Sequence, residues 1–66
     1  MFVWHYLDET GVELGTSVPF PDQASAEEWM GDAWADLRER GVEEVALTDE
    51  DRGRRIYRMG LAEEPA

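Results

Sequence analysis

Ala26, Trp29, Met30, Ala33, Trp34 and Leu37 recur at helical spacing in the middle of the chain. This stripe constrains the fold more than any other feature, because an amphipathic helix must bury its apolar side. The sequence predicts a helix from Gln23 to Arg40, about 27 Å long at 1.5 Å per residue. Asp22 suits the N-cap, although Ser25 and Glu28 form a capping box that would start the helix three residues later. Arg38 and Arg40 complement the dipole in the last turn. Gly41 and Val42 fit a Schellman end. Glu27, Glu28, Asp32, Asp36 and Glu39 fall outside the stripe.

Extended segments flank the helix on both sides. Phe2 to Leu7 is β-branched and aromatic, and Val12 to Val18 alternates. Between them, Asp8-Glu9-Thr10-Gly11 predicts a type I turn closed by a left-handed glycine. With Asp8 opposite Val12, Tyr6 faces Leu14, Trp4 faces Thr16, Phe2 faces Val18 and His5 faces Gly15. Pro19-Phe20-Pro21 ends the strand. After the helix, Glu43 to Asp49 and Arg54 to Leu61 read as a second hairpin around Asp51-Arg52-Gly53. Its register sets Leu47 opposite Tyr57 and Val45 opposite Met59. It also sets Asp49 opposite Arg55 and Glu50 opposite Arg54, giving the arginines nearby carboxylates.

The predicted fold is α+β: a two-layer ββαββ unit with one helix on one face of a four-stranded antiparallel sheet, order 2-1-3-4. The most apolar strand, the first, takes a central place. Phe2, Trp4, Tyr6, Leu14, Val18, Val45, Leu47, Tyr57 and Met59 form the sheet side of the core. Trp29 and Trp34, at opposite edges of the helical stripe, cap it. Residues 1–61 make a single domain, and residues 62–66 a frayed acidic tail.

Composition narrows the chemistry. With 66 residues and no cysteine, there is one small core and no disulfide, thiolate ligand or thiol nucleophile. The single histidine excludes a multi-histidine zinc site. Acids number 16 against six basic residues, all arginine, for a net charge of −10. Residues 1–51 carry 14 acids with Arg38 and Arg40, a sum of −12, whereas 52–62 carry four arginines and no acid. A field this negative opposes direct nucleic-acid binding. No apolar run reaches the ~20 residues of a membrane span, and the start lacks a signal-peptide pattern. A soluble, cytoplasmic protein is expected.

The sheet face away from the helix is predicted to carry Val3, His5, Leu7, Ala46, Thr48 and Ile56, edged by Glu13, Glu44 and Arg58. No second helix remains to cover it, so Val3, His5, Leu7, Ala46, Ile56 and Arg58 form the candidate interface. No catalytic, cofactor or metal site is expected. His5 lacks a patterned nucleophile, since Ser17 on the neighbouring strand stands in no nucleophile-elbow motif. Asp49-Glu50-Asp51 lacks calcium-loop spacing.

Tyr6-Leu7-Asp8 with Gly11, Trp29, Asp32-Ala33-Trp34, Gly41-Val42-Glu43 and Tyr57-Arg58-Met59-Gly60-Leu61 carry a resemblance. Across its whole length the chain resembles a group of small acidic proteins of high-GC bacteria. That group has no assigned activity, so the resemblance implies none. The first hairpin and helix, half the chain, also resemble bacterial ββα repeat modules of unknown role.

These observations predict a non-enzymatic protein-interaction module. It self-associates as a homodimer or binds another protein through the open sheet face. The alternative is an acidic decoy that binds a nucleic-acid-binding protein through the helix carboxylates. A small-molecule binder or enzyme would need a pocket, for which the corner at Pro19-Phe20-Pro21 is the candidate place.

Overall fold

The computed structural model describes residues 1–61; the expected tail, 62–66, lies outside the described residues. The elements run β1 (Phe2–Leu7), β2 (Glu13–Thr16), α1 (Gln23–Glu39), β3 (Glu44–Asp49) and β4 (Arg54–Gly60). The sheet order is β2-β1-β3-β4, antiparallel throughout. The α+β architecture and strand order match the expectation from sequence.

Local chemistry sets the turns. In the β1–β2 turn, Gly11 has φ 88°, and its N–H donates to Asp8 O at 3.0 Å. The Asp8 carboxylate accepts from Thr10 N–H, the Thr10 hydroxyl and Val12 N–H. These bonds hold it below the usual carboxylate range, the Thr10 side chain contributing most. Asp22 caps α1 by accepting from Ser25 N–H at 2.7 Å. At the other end Val42 N–H reaches Leu37 O and Gly41 N–H reaches Arg38 O, both at 3.1 Å. With Gly41 at φ 98°, this is the Schellman pattern, and it buries Leu37 and Val42 together. Arg40 is thereby the C-cap rather than the last helical residue.

The core lies between α1 and the middle of the sheet. Trp4, Ala26, Met30, Leu37, Val42, Val45, Leu47 and Leu61 are buried there. Fully burying a Leu, Val or Met side chain contributes about 1.5–3 kcal/mol. Trp4 Nε1–H donates to Ala26 O at 2.8 Å, which satisfies the one polar atom of an otherwise apolar side chain. Its ring meets Tyr57 edge-on at 6.0 Å. Trp29 packs half-buried against Phe20, with ring centroids 5.4 Å apart, at the corner expected to offer a pocket. Trp34 stays 39% exposed and does not cap the core as Trp29 does.

Two bulges correct the expected register. Tyr6 pairs with Gly15 and Leu7 with Glu13, leaving Leu14 as an extra residue in β2. His5 therefore faces Thr16, not Gly15. Leu14 and Val18, expected in the core, are 51% and 65% exposed. The Tyr6 ring already lies over Gly15, where an added Cβ would sit 3.6 Å from Tyr6 Cδ2. The site opposite Tyr6 thus receives no leucine. β2 is also shorter than the predicted Val12–Val18. Beyond it, Ser17 N–H donates to Trp4 O, and Phe2 and Phe20 exchange two 2.8 Å backbone bonds.

In the second hairpin, Leu47 pairs with Tyr57 and Val45 with Met59 as predicted. A shift then sets Thr48 opposite Arg55 and Asp49 opposite Arg54, with Ile56 as the extra residue. The predicted pairs Asp49 with Arg55 and Glu50 with Arg54 are therefore lost. Met59 remains 38% exposed, since it stands on the outermost strand.

Candidate functional site

The open sheet face, the two sheet edges and the outer face of α1 are surfaces available for function. On the open face, β1 contributes Val3, His5 and Leu7, and β3 contributes Ala46 and Thr48 across from them. Ile56 is not part of this face. As a bulge residue it packs against the buried cluster, because the extra residue breaks the alternation that would have turned it outward. Arg55 occupies the place opposite Thr48.

The face is also less apolar than expected. Leu7 and Ala46 are buried without a second helix, and polar neighbours span the strands around them. His5 Nδ1 contacts Glu13 Oε1 at 2.7 Å, and Arg58 reaches Glu44 Oε1 at 3.3 Å. His5 Nε2 is enclosed and makes no hydrogen bond; Glu50 Oε2, at 3.7 Å, is too far for one. An open groove here is lined by His5, Glu13, Thr48, Glu50, Gly53 and Arg55.

Glu13 and His5 have the carboxylate–imidazole geometry that orients a general base. Ser17, just beyond β2, does not complete such a set. Ser17 uses its hydroxyl to accept from Trp4 N–H and to donate to Val18 O. The two imidazole nitrogens approach carboxylates on different residues. Among the described residues, no three His, Asp or Glu are placed to hold one metal ion. None of the helices there is long and apolar enough to cross a membrane.

The helix carboxylates are partly engaged. Glu27 accepts from Tyr57 Oη at 2.7 Å and from Gln23 at 3.1 Å. Asp36 pairs with Arg40 at 3.1 Å, and Asp22 is the cap. The Tyr57 hydroxyl is pushed up to about 12 by burial and by the Glu27 carboxylate it serves. That same bond holds Glu27 below its usual range.

The edges of the sheet were not singled out from sequence as sites. β4 displays Arg54, Arg55 and Arg58, all exposed. Around β2, Val12 is 58%, Leu14 51% and Val18 65% exposed. Gly15 inside the strand was the available signal, since glycine there often marks a bulge. Compared with known proteins, the chain matches no family model, no curated protein and no solved structure.

Proposed function

We propose that the chain is a small non-enzymatic protein-interaction module that accepts an added strand along β2. The observation carrying this reading is the concentration of exposed Val12, Leu14 and Val18 along one sheet edge. Edge strands present unpaired backbone groups, and charged side chains or proline usually guard them. Residues 12–18 contain one charge, Glu13, and no proline. Strand addition takes affinity from main-chain bonds and selectivity from alternate side chains. The open face offers a smaller apolar surface, because Leu7 and Ala46 are already buried, Val3 is half-buried and the rim is ion-paired.

The test is titration with an acetylated, amidated peptide of residues 12–18, followed by amide NMR. Shifts confined to β2 and its β1 neighbours are expected. Perturbation at Val3, Ala46 and Thr48 without change at β2 would move the interaction to the open face and overturn the edge assignment.

A further inference from the structure

We infer that His5 is a proton-operated clamp: a second proton on its ring ties Glu13 of β2 and Glu50 of the β3–β4 turn to β1 and closes the groove between them. This goes beyond the interaction reading above and does not depend on it.

The motive is an enclosed polar atom without a partner. His5 Nδ1 lies 2.7 Å from Glu13 Oε1. An ionised carboxylate only accepts hydrogen bonds, so this contact places a proton on Nδ1. In the neutral ring Nε2 is then a bare acceptor. It is enclosed and makes no hydrogen bond, a condition that buried polar atoms seldom keep. Glu50 Oε2 stands 3.7 Å away, and it too is an acceptor. A proton on Nε2 turns this opposition of acceptors into a charge-assisted bond. Glu50 Oε2 has to move in by about 0.9 Å to reach the usual length of such a bond.

Imidazole is the side chain that ordinarily changes charge between pH 5 and 8. Glu13 faces this ring from β2 and Glu50 from the turn, while Arg55 of β4 lines the same groove. Arg58 stands opposite Ala46, the β3 partner of His5, and is paired to Glu44 at 3.3 Å. The α1 helix packs on the other face, where Ala26 O accepts from Trp4. Glu50 opens the turn: its own N–H donates to Met1 O, and the next, of Asp51, donates to Asp49 Oδ1. Drawing the Glu50 carboxylate onto His5 therefore ties the turn of the second hairpin to the first strand. One ring then joins β1, β2 and the β3–β4 turn. The groove is closed in mild acid and open at higher pH.

The test is NMR of the whole chain from about pH 8.5 to about 5.5, above the ordinary carboxylate range. Ring 15N shifts should place the proton of neutral His5 on Nδ1. The side-chain carboxyl 13C of Glu50 should move with the same midpoint as the ring. Amide exchange at Glu50 and Asp51, corrected for its intrinsic pH dependence, should slow roughly two- to fivefold as pH falls. Glu50→Ala should remove most of that slowing. What remains belongs to the N-terminal ammonium, which pairs with Asp51 and is of a type that titrates near this range.

A neutral ring protonated on Nε2 overturns the clamp, and so does a Glu50 carboxyl that stays flat while the ring titrates. Slowing that is absent, or as large in Glu50→Ala, overturns it as well. If Glu50→Ala fails to fold, the wild-type ring and carboxyl signals still decide.

Discussion

The two edges of this sheet solve the same structural problem differently. Each carries a bulge whose extra residue is a large aliphatic: Leu14 in β2 and Ile56 in β4. Ile56 packs against the buried cluster, while Leu14 is half exposed. The difference lies in what α1 reaches. Tyr57 donates to Glu27 on the helix and stands edge-on to Trp4, so β4 is tied to the helical layer. At β2, the Tyr6 ring lies against Gly15, and Leu14 stays half exposed. The outer sides differ as well. β4 carries three exposed arginines, whereas β2 has Glu13 alone among its charged residues. A bulge therefore does not determine whether its extra residue is buried; the neighbouring layer does.

The largest effect that separates the edges should come from truncating the two bulge residues. Ile56→Ala should cost about 2 kcal/mol, near the low end for aliphatic truncation because Ile56 is only partly buried. Leu14→Ala should stay within about 0.5 kcal/mol. Urea unfolding at low protein concentration, where association does not contribute, measures both. Equal losses would contradict the different burial of the two bulges.

A smaller effect should arise in the hairpin turns. Gly11 and Gly53 have φ 88° and 62°, a region that burdens a side chain with about 1–2 kcal/mol. Gly11→Ala and Gly53→Ala should each lower stability by about that amount. Gly53→Asn should recover part of the loss, since asparagine tolerates the left-handed region. Thermal denaturation compares the three variants.

The smallest separation should appear on titration. Tyr57 binds its proton more tightly folded than unfolded, so its contribution is complete below pH 10 and disappears as pH rises through about 12. Asp8, Asp22 and Glu27 have lowered values in the fold. Their contribution is present above the ordinary carboxylate range and is lost as pH falls through the lowered values. Alkaline pH should therefore loosen β4 from the helix, and acid should loosen the first turn and helix start. Amide exchange resolves the regions, and Tyr57→Phe should flatten the alkaline limb.

Much of this was legible where chemistry is local. The Asp8–Gly11 turn, the Asp22 cap and the Gly41–Val42 stop each depend on residues close in sequence. The strand order followed from the apolar character of Phe2–Leu7, and the Leu47–Tyr57 pairing from the Gly53 turn. The bulges were harder to read, because an added residue need not disturb the apparent alternation. Val12, Leu14, Thr16 and Val18 look like one continuous strand face, and only Gly15 interrupts it. In β4, adjacent Ile56 and Tyr57 carried the warning. The residues expected on the open face and in the core shifted for the same reason: Ile56 packs against the buried cluster, Arg55 stands opposite Thr48, and Leu14 and Val18 are exposed.

The three tryptophans give the molecule a built-in optical depth scale. Trp4 is fully buried, Trp29 is half-buried beside Phe20, and Trp34 is 39% exposed. A soluble quencher should reach Trp34 readily and Trp4 only when the core opens. Single-tryptophan variants would thus let emission distinguish opening of the core from disturbance at the Phe20 corner or on the exposed helix surface.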